Sequence, residues 1–308
     1  MAFGLKHLFG LKGVSKDDIA MILDTAASFR EVLDRPIRLV PTLKGVAVLN
    51  LFYEDSTRTR MSFELAAKRI SAETVTFAKS TSSVSKGESF RDTVRNIEAM
   101  KIDVIVCRHS SPGVPAFLAK HTSCRIINAG DGPHEHPTQA LLDMLTIRDR
   151  FGSLEGLKVL MVGDIQHSRV ARSNIYGLKT MGAQIDVCGP ATMMPLDMSR
   201  LDVNVYHKLD DILPDYDVVY MLRMQKERQH KGLIPSDREY TSLFGLTNER
   251  MTRMKEGAVV MHPGPINRNV EIDYEVADSE RSLILNQVTN GEAVRMAVLY
   301  LLSGGGEQ

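Results

Sequence analysis

The sequence predicts an α/β fold made of two doubly wound parallel-sheet domains. Three observations carry this expectation. Short apolar runs alternate with segments of helical periodicity, the pattern of parallel strands joined by helices. The runs are dominated by apolar residues, as in VAVLNLF (46–52) and LKVLMVGD (157–164), which suits strands buried on both faces. The stretch DRFGSLEGLK (149–158) breaks the alternation near the middle and marks two halves.

In chain order, the first helix is predicted over 15–33. The strand 46–52 comes next and runs through a polar loop into a second helix. There Phe63, Ala66, Ala67 and Ile70 recur at helical spacing, and Glu64 and Lys68 are spaced to pair one turn apart. A helix over 91–100 leads to the strand DVIVC (103–107) and then RIIN (125–128). A helix over 137–151 closes the first half. The second half carries strands at 157–164, 183–189, 216–222 and 257–265, with helices over 168–181 and 291–302.

The chain of 308 residues is 43% hydrophobic and 25% charged, with 38 basic and 38 acidic residues. No global field draws such a chain to nucleic acid or to a membrane surface. Its cysteines, Cys107, Cys124 and Cys188, show neither a C-x-x-C pair nor zinc spacing and read as reduced thiols in a cytoplasmic protein. The opening MAFGLKHLFGLKG is too short and too interrupted for a signal peptide, and no apolar run approaches membrane length.

Function shows in the residues just past each strand. The second helix opens with Asp55-Ser56-Thr57-Arg58-Thr59-Arg60. Asp and Ser suit a helix start, whereas arginines oppose the positive end of the dipole. A bound phosphate or carboxylate resolves the conflict, held by free amides, hydroxyls and guanidinium together. Arg108 directly follows DVIVC, and AGDGPHEHPTQ, with His136 and Gln139, follows RIIN. Arg169 ends the IQHSR that follows VLMVGD; Arg223 follows VVYML; HPGP (262–265) follows VVM. Ligands of open α/β sheets bind at these carboxyl ends. Four arginines there, drawn from both halves, point to a polyanionic ligand or to two anions.

The same residues admit other readings. HEH (134–136) invites a metal, but Pro133 and Pro137 bracket it and neither H-E-x-x-H nor a cysteine partner is present, so no metal is expected. His136 reads either as a neutral donor to a carbonyl oxygen or as a structural histidine. VGDIQHSR lacks G-x-G-x-x-G; the phosphate loop G-x-x-x-x-G-K-[ST] and the hydrolase elbow G-x-S-x-G are absent. The Ser-rich segment 78–90 reads first as a solvated loop and second as a lid that carries Lys86 to a phosphate.

STRTR, HPTQALLDMLTI, VGDIQHSR, RMQKER and HPGPINR, in that order, resemble the aspartate/ornithine carbamoyltransferase family over essentially the whole chain. The resemblance implies a carbamoyl-phosphate domain over 1–142, an aspartate domain over 143–286, and a last helix (287–308) returning to the first. It further implies a homotrimer with shared active sites. VSKGES with Lys86, and RMQKER with Arg223 and Gln225, are similar to the aspartate branch; the ornithine branch carries H-C-L-P where Pro263 follows His262 here. HPGP departs from the Pro-Leu form of some members, and HPGPINRNVEI is similar to members that associate with dihydroorotase. A regulatory chain is a further possible partner.

The implied reaction is attack of the L-aspartate amine on carbamoyl phosphate, giving N-carbamoyl-L-aspartate and phosphate, an early step of pyrimidine synthesis. No cofactor is expected. By resemblance, Ser56, Thr57, Arg58, Thr59 and Arg108 hold phosphate, and Arg108, His136 and Thr59 polarise the carbamoyl oxygen. Gln139 and the carbonyls around Pro263, Gly264 and Pro265 orient the carbamoyl amino group. Arg169 and Arg223 clamp the aspartate carboxylates with Gln225 in support. Ser82 and Lys86 arrive from a neighbouring subunit. The rivals are a carbamoyltransferase for ornithine or another amino acid, and a non-catalytic anion-binding subunit.

Overall fold

A computed structural model describes residues 3–78, 90–225, 233–234 and 236–305. The fold is α/β with two parallel sheets, and the chain divides into two compact units, 1–145 with 289–308, and 146–288.

In the first unit the strands are β1 (Ala47–Phe52), β2 (Glu73–Ala78), β3 (Val104–His109) and β4 (Arg125–Asp131), in the order β2-β1-β3-β4. Its helices are α1 (Lys16–Leu33), α2 (Thr57–Arg69), α3 (Phe90–Ala99), α4 (Val114–His121) and the start of α5 (Pro137–Phe151). Helix α1 forms where the sequence asks for it. Ser15 caps it by accepting the Asp18 amide, Asp17 and Asp18 fill the first turn, and Ile19, Ile22, Leu23, Ala26 and Phe29 make one buried stripe. In the sheet, Leu49 and Leu51 of β1 and Ile105 and Cys107 of β3 share one face. That face packs against Val94 and Ile97 of α3 and Leu118 of α4. Burying one such leucine contributes about 1.5–3 kcal/mol.

The second unit holds β5 (Lys158–Val162), β6 (Gln184–Cys188), β7 (Val205–Tyr206), β8 (Val218–Met221) and β9 (Val259–Met261), ordered β7-β6-β5-β8-β9. Around them run α6 (Arg169–Thr180), α7 (Asp237–Phe244), α8 (Asn248–Arg253), α9 (Tyr274–Ala277) and the start of α10 (Ile284–Leu302). Leu160, Val162, Val219, Met221 and Val260 line one face and meet Tyr240 and Phe244 of α7.

Several elements differ from the sequence reading. Strand β2, ETVTFA, lies at a sheet edge and mixes polar and apolar residues, and β7 is only two residues long. Neither offers a continuous apolar run. Helices α4, α7, α8 and α9 have eight residues or fewer, too short for a clear period. Helix α10 begins at Ile284 rather than Gly291. Gly291 marks a close approach instead of a helix start: a Cβ there would lie 2.7 Å from Arg295 Nη1 and 3.0 Å from Leu142 Cδ2. The Glu64 carboxylate takes the hydroxyl of Thr76 on β2 rather than pairing with Lys68.

Candidate active site

In the first unit, three adjacent strands, β1, β3 and β4, bring the expected phosphate and carbamoyl residues to one sheet edge. After β1 the chain turns through 53–56 into α2. Ser56 occupies the N-cap position but makes no capping bond with its side chain, and the first turn carries no acidic residue. The Arg60 amide is the first to reach back, to the Ser56 carbonyl at 3.1 Å. The amides of Thr57, Arg58 and Thr59 therefore precede the helical bonding pattern. Thr57 and Arg58 are exposed and Thr59 is buried.

Arg108 lies level with Phe52, the last residue of β1, and the Tyr53 amide donates to the Arg108 carbonyl at 2.9 Å. Parallel register thus sets Arg108 beside the turn that starts α2. Its buried guanidinium donates to the Ala129 carbonyl at 3.1 Å and to Glu54 Oε1 at 2.7 Å. Glu54 had no signal in the sequence. Its carboxylate offsets the Arg108 charge and orients the guanidinium from the same turn.

Strand β4 ends at Asp131, a hub for the turn that leads to His136. Asp131 accepts from Asn128 Nδ2 and from the Gly113 amide, both at 2.8 Å, and faces His134 Nδ1 at 3.1 Å. Burial by itself pushes the Asp131 pKa up. The bonds from His134, Gly113 and Asn128 outweigh it and hold the carboxyl below its ordinary value. Glu135 accepts the Leu11 amide at 2.7 Å. The first two residues of HEH are therefore structural, and the described residues hold no cluster of three metal-ligating side chains. His136 is buried at the start of α5, its carbonyl accepting the Gln139 amide at 3.0 Å. Gln139 Nε2 donates to Asp143 Oδ1 at 3.0 Å.

The second unit repeats this plan. Strands β5, β8 and β9 are neighbours and end before Arg169, Arg223 and the HPGP turn. Arg169 is the buried first residue of α6, whose cap, Ser168, accepts the Ala171 amide at 3.1 Å. Arg223 and Gln225 are half-buried in the segment after β8. Pro263, Gly264 and Pro265 come after β9, and Gly264 has φ 60°. His262 holds that turn. Its Nδ1 accepts the Gly264 amide at 2.8 Å, and its Nε2 lies 3.3 Å from Glu271 Oε1. Glu271 also accepts the Asn267 amide at 2.7 Å, and Gln287 accepts the His262 amide at 3.0 Å. His262 was visible as part of a motif, but Glu271 and Gln287 were not. Ser82 and Lys86 lie outside the described residues.

Comparison with known proteins adds an independent line. Residues 6–149 match the model of the "Aspartate/ornithine carbamoyltransferase, carbamoyl-P binding domain", and 155–302 match the "Asp/Orn binding domain" of the same family. An aspartate carbamoyltransferase catalytic subunit from Syntrophotalea carbinolica is 56% identical over 305 residues, 99% of this chain and 97% of the relative. The one from Moorella thermoacetica is 55% identical over 300 residues, 97% of this chain and 98% of the relative. Among solved structures, aspartate transcarbamoylase from Trypanosoma cruzi in complex with carbamoyl phosphate superposes with a TM-score of 0.88 at 31% identity, covering 97% of this chain and 96% of that one. The catalytic subunit of the M. jannaschii enzyme gives 0.83 at 37% identity, covering 98% and 99%.

Proposed function

The chain belongs to the aspartate/ornithine carbamoyltransferase family, and from that premise we propose how its residues move a carbamoyl group from carbamoyl phosphate to L-aspartate. It is a transferase, and its relatives, more than half identical over nearly full length, are named for aspartate as the acceptor. The product, N-carbamoyl-L-aspartate, makes this an early step of pyrimidine synthesis.

The observation that carries the assignment of roles is the alignment of three neighbouring strand ends in the first unit. The turn after β1, Arg108 on β3 and His136 after β4 stand side by side at one edge. Ser56, Thr57, Arg58 and Thr59 hold the dianionic phosphate with helix-start amides, hydroxyls and guanidinium, and Arg108 joins them. As the amine attacks, charge develops on the carbamoyl oxygen. Arg108, His136 and Thr59 stabilise it, a contribution of about 2.7–4 kcal/mol for one donor of this kind. Gln139 and the backbone carbonyls at Pro263–Pro265 orient the carbamoyl amino group. Arg169 and Arg223 bind the two carboxylates of aspartate, with Gln225 in support. The departing phosphate takes the amine proton, so the residues named serve to position and to stabilise charge. The leaving group is already activated, and no cofactor enters this scheme.

We further propose a homotrimer in which Ser82 and Lys86 complete a neighbour's site. In support, Met61 and Leu65 of α2 are 58% and 42% exposed, and Val75 of the edge strand β2 is 52% exposed. Ile37 and Leu39, between α1 and β1, are exposed apolar residues as well. Association with dihydroorotase or a regulatory chain, and a cytoplasmic setting, belong to the same reading. No helix among the described residues is long and apolar enough to cross a membrane.

The test is a colorimetric assay for carbamoylated product with carbamoyl phosphate and either aspartate or ornithine. Aspartate is expected to support turnover and ornithine to give none. Preference for ornithine, or inactivity with both, overturns the reading.

A further inference from the structure

Gln139 and Asp143 lie one turn apart on α5, and both are buried, 9% and 0% exposed. Gln139 Nε2 donates to Asp143 Oδ1 at 3.0 Å. An ionised carboxylate accepts hydrogen bonds and never donates them. It can therefore hold only the nitrogen end of the Gln139 amide. The two ends of a primary amide are nearly equal in size, so shape alone does not choose between them. A fixed acceptor does, and it turns the oxygen end away from Asp143.

Asp143 is itself set in a charged frame built by the last helix. Arg295 of α10 is fully enclosed, and its Nη1 donates to Ser62 Oγ of α2 and to the Gly291 carbonyl, both at 2.8 Å. Its guanidinium lies 5.3 Å from the centre of the Phe63 ring. Burial lowers the Arg295 pKa to about 10, with the charges of Glu292 and Asp143 opposing the drop, so the cation persists at neutral pH. The Asp143 carboxylate and this cation attract one another. The missing side chain of Gly291 leaves room for it, since a Cβ would sit 2.7 Å from Arg295 Nη1.

We propose that Asp143 is a positioning residue that fixes the Gln139 amide with its oxygen toward the ligand, making the site select an acyl phosphate that carries an amino group. This rests on the role given above to Gln139. The carbamoyl amino group offers only donors, which an oxygen can take and an NH2 end cannot. Acetyl phosphate, with a methyl group in that place, gains nothing from the orientation.

The experiment compares affinities for carbamoyl phosphate, acetyl phosphate and inorganic phosphate in the wild type, Gln139→Leu and Asp143→Asn. In Asp143→Asn either end of the new amide can face Gln139, so orientation is no longer enforced. Carbamoyl phosphate should then bind about tenfold more weakly, the loss of one hydrogen bond. Acetyl phosphate and phosphate should bind as before, and Gln139→Leu should show the same selective loss. The double variant should be no worse than Gln139→Leu alone. If Gln139→Leu keeps the preference for carbamoyl over acetyl phosphate, the role of Gln139 itself falls. If it loses that preference while Asp143→Asn keeps it, only the inference about Asp143 falls. Equal weakening of all three ligands in Asp143→Asn also overturns it. Should Asp143→Asn not fold, the wild type decides through side-chain amide exchange, with Gln139→Leu assigning the signal. Slow exchange of the Gln139 NH2 is expected, and exchange at the free-amide rate refutes the bond.

Discussion

Arg58 stands exposed at the start of α2, where its charge opposes the helix dipole and contributes nothing to the core. Arg58→Ala should therefore leave the melting temperature nearly unchanged. It should lower turnover by roughly 10²–10³ by removing a charge-assisted donor from the reacting anion. Steady-state kinetics beside a thermal melt check both halves; near-normal turnover contradicts the phosphate role. Asp131 shows the opposite case, a charge that serves the fold. Its folded pKa is depressed, so its stabilisation is present above the ordinary carboxylate value of about 3.9 and is lost as pH falls through the folded value. The difference in unfolding free energy between the wild type and Asp131→Asn should shrink from about pH 4 downward. Urea unfolding across that range measures it, and a constant difference would falsify the assignment. Arg58 was legible in the sequence because it breaks a local rule. Asp131 was not, because its donors come from Gly113, Asn128 and His134 and converge only in the folded turn.

At the level of elements, each functional residue is aimed by a strand end and the turn beyond it. The turn after β5 illustrates how tightly such a junction is built. Gly163 has φ 130°, and a Cβ there would lie 2.9 Å from Tyr240 Oη and 3.1 Å from the Leu222 carbonyl. Gly163→Ala should lower the unfolding free energy by about 1–2 kcal/mol through backbone strain alone. Crowding against the Leu222 carbonyl, which cannot swing aside, adds to this. The midpoint of denaturant unfolding reports the change, and a midpoint equal to the wild type's contradicts the close packing. Strands β1, β3, β5 and β8 were readable because a strand covered on both faces is mostly apolar. The strands β2 and β7 escaped because ETVTFA alternates polar with apolar residues and β7 is two residues long, whereas β4 and β9, at the opposite edges, keep apolar runs and were readable.

For the whole molecule, the shared-site proposal has its own test. Homotrimers of Arg58→Ala and of Lys86→Ala should each be nearly inactive, since every site carries one defect. When the two are dissociated and reassociated together, head-to-tail contacts rebuild on the order of one unmutated site per mixed trimer. Activity should return in step with subunit exchange followed by mass. Exchange without recovery places Lys86 in its own chain's site, and an active Lys86→Ala homotrimer removes it from the mechanism. The sequence alone determined what depends on near neighbours: the α/β alternation, the buried strand cores, the break near 149–158, and the arginines set just after strands. Those signals survive because strand pleat, helix period and helix dipole act over a few residues. Only tertiary structure decided which strand ends are neighbours, through the orders β2-β1-β3-β4 and β7-β6-β5-β8-β9. It also decided which buried charges support the functional groups. Glu54 meets Arg108 across 54 positions of chain, and Arg295 frames Asp143 from the far end of the sequence. Such pairings rest on burial and register between distant segments, and no local pattern of residues encodes them.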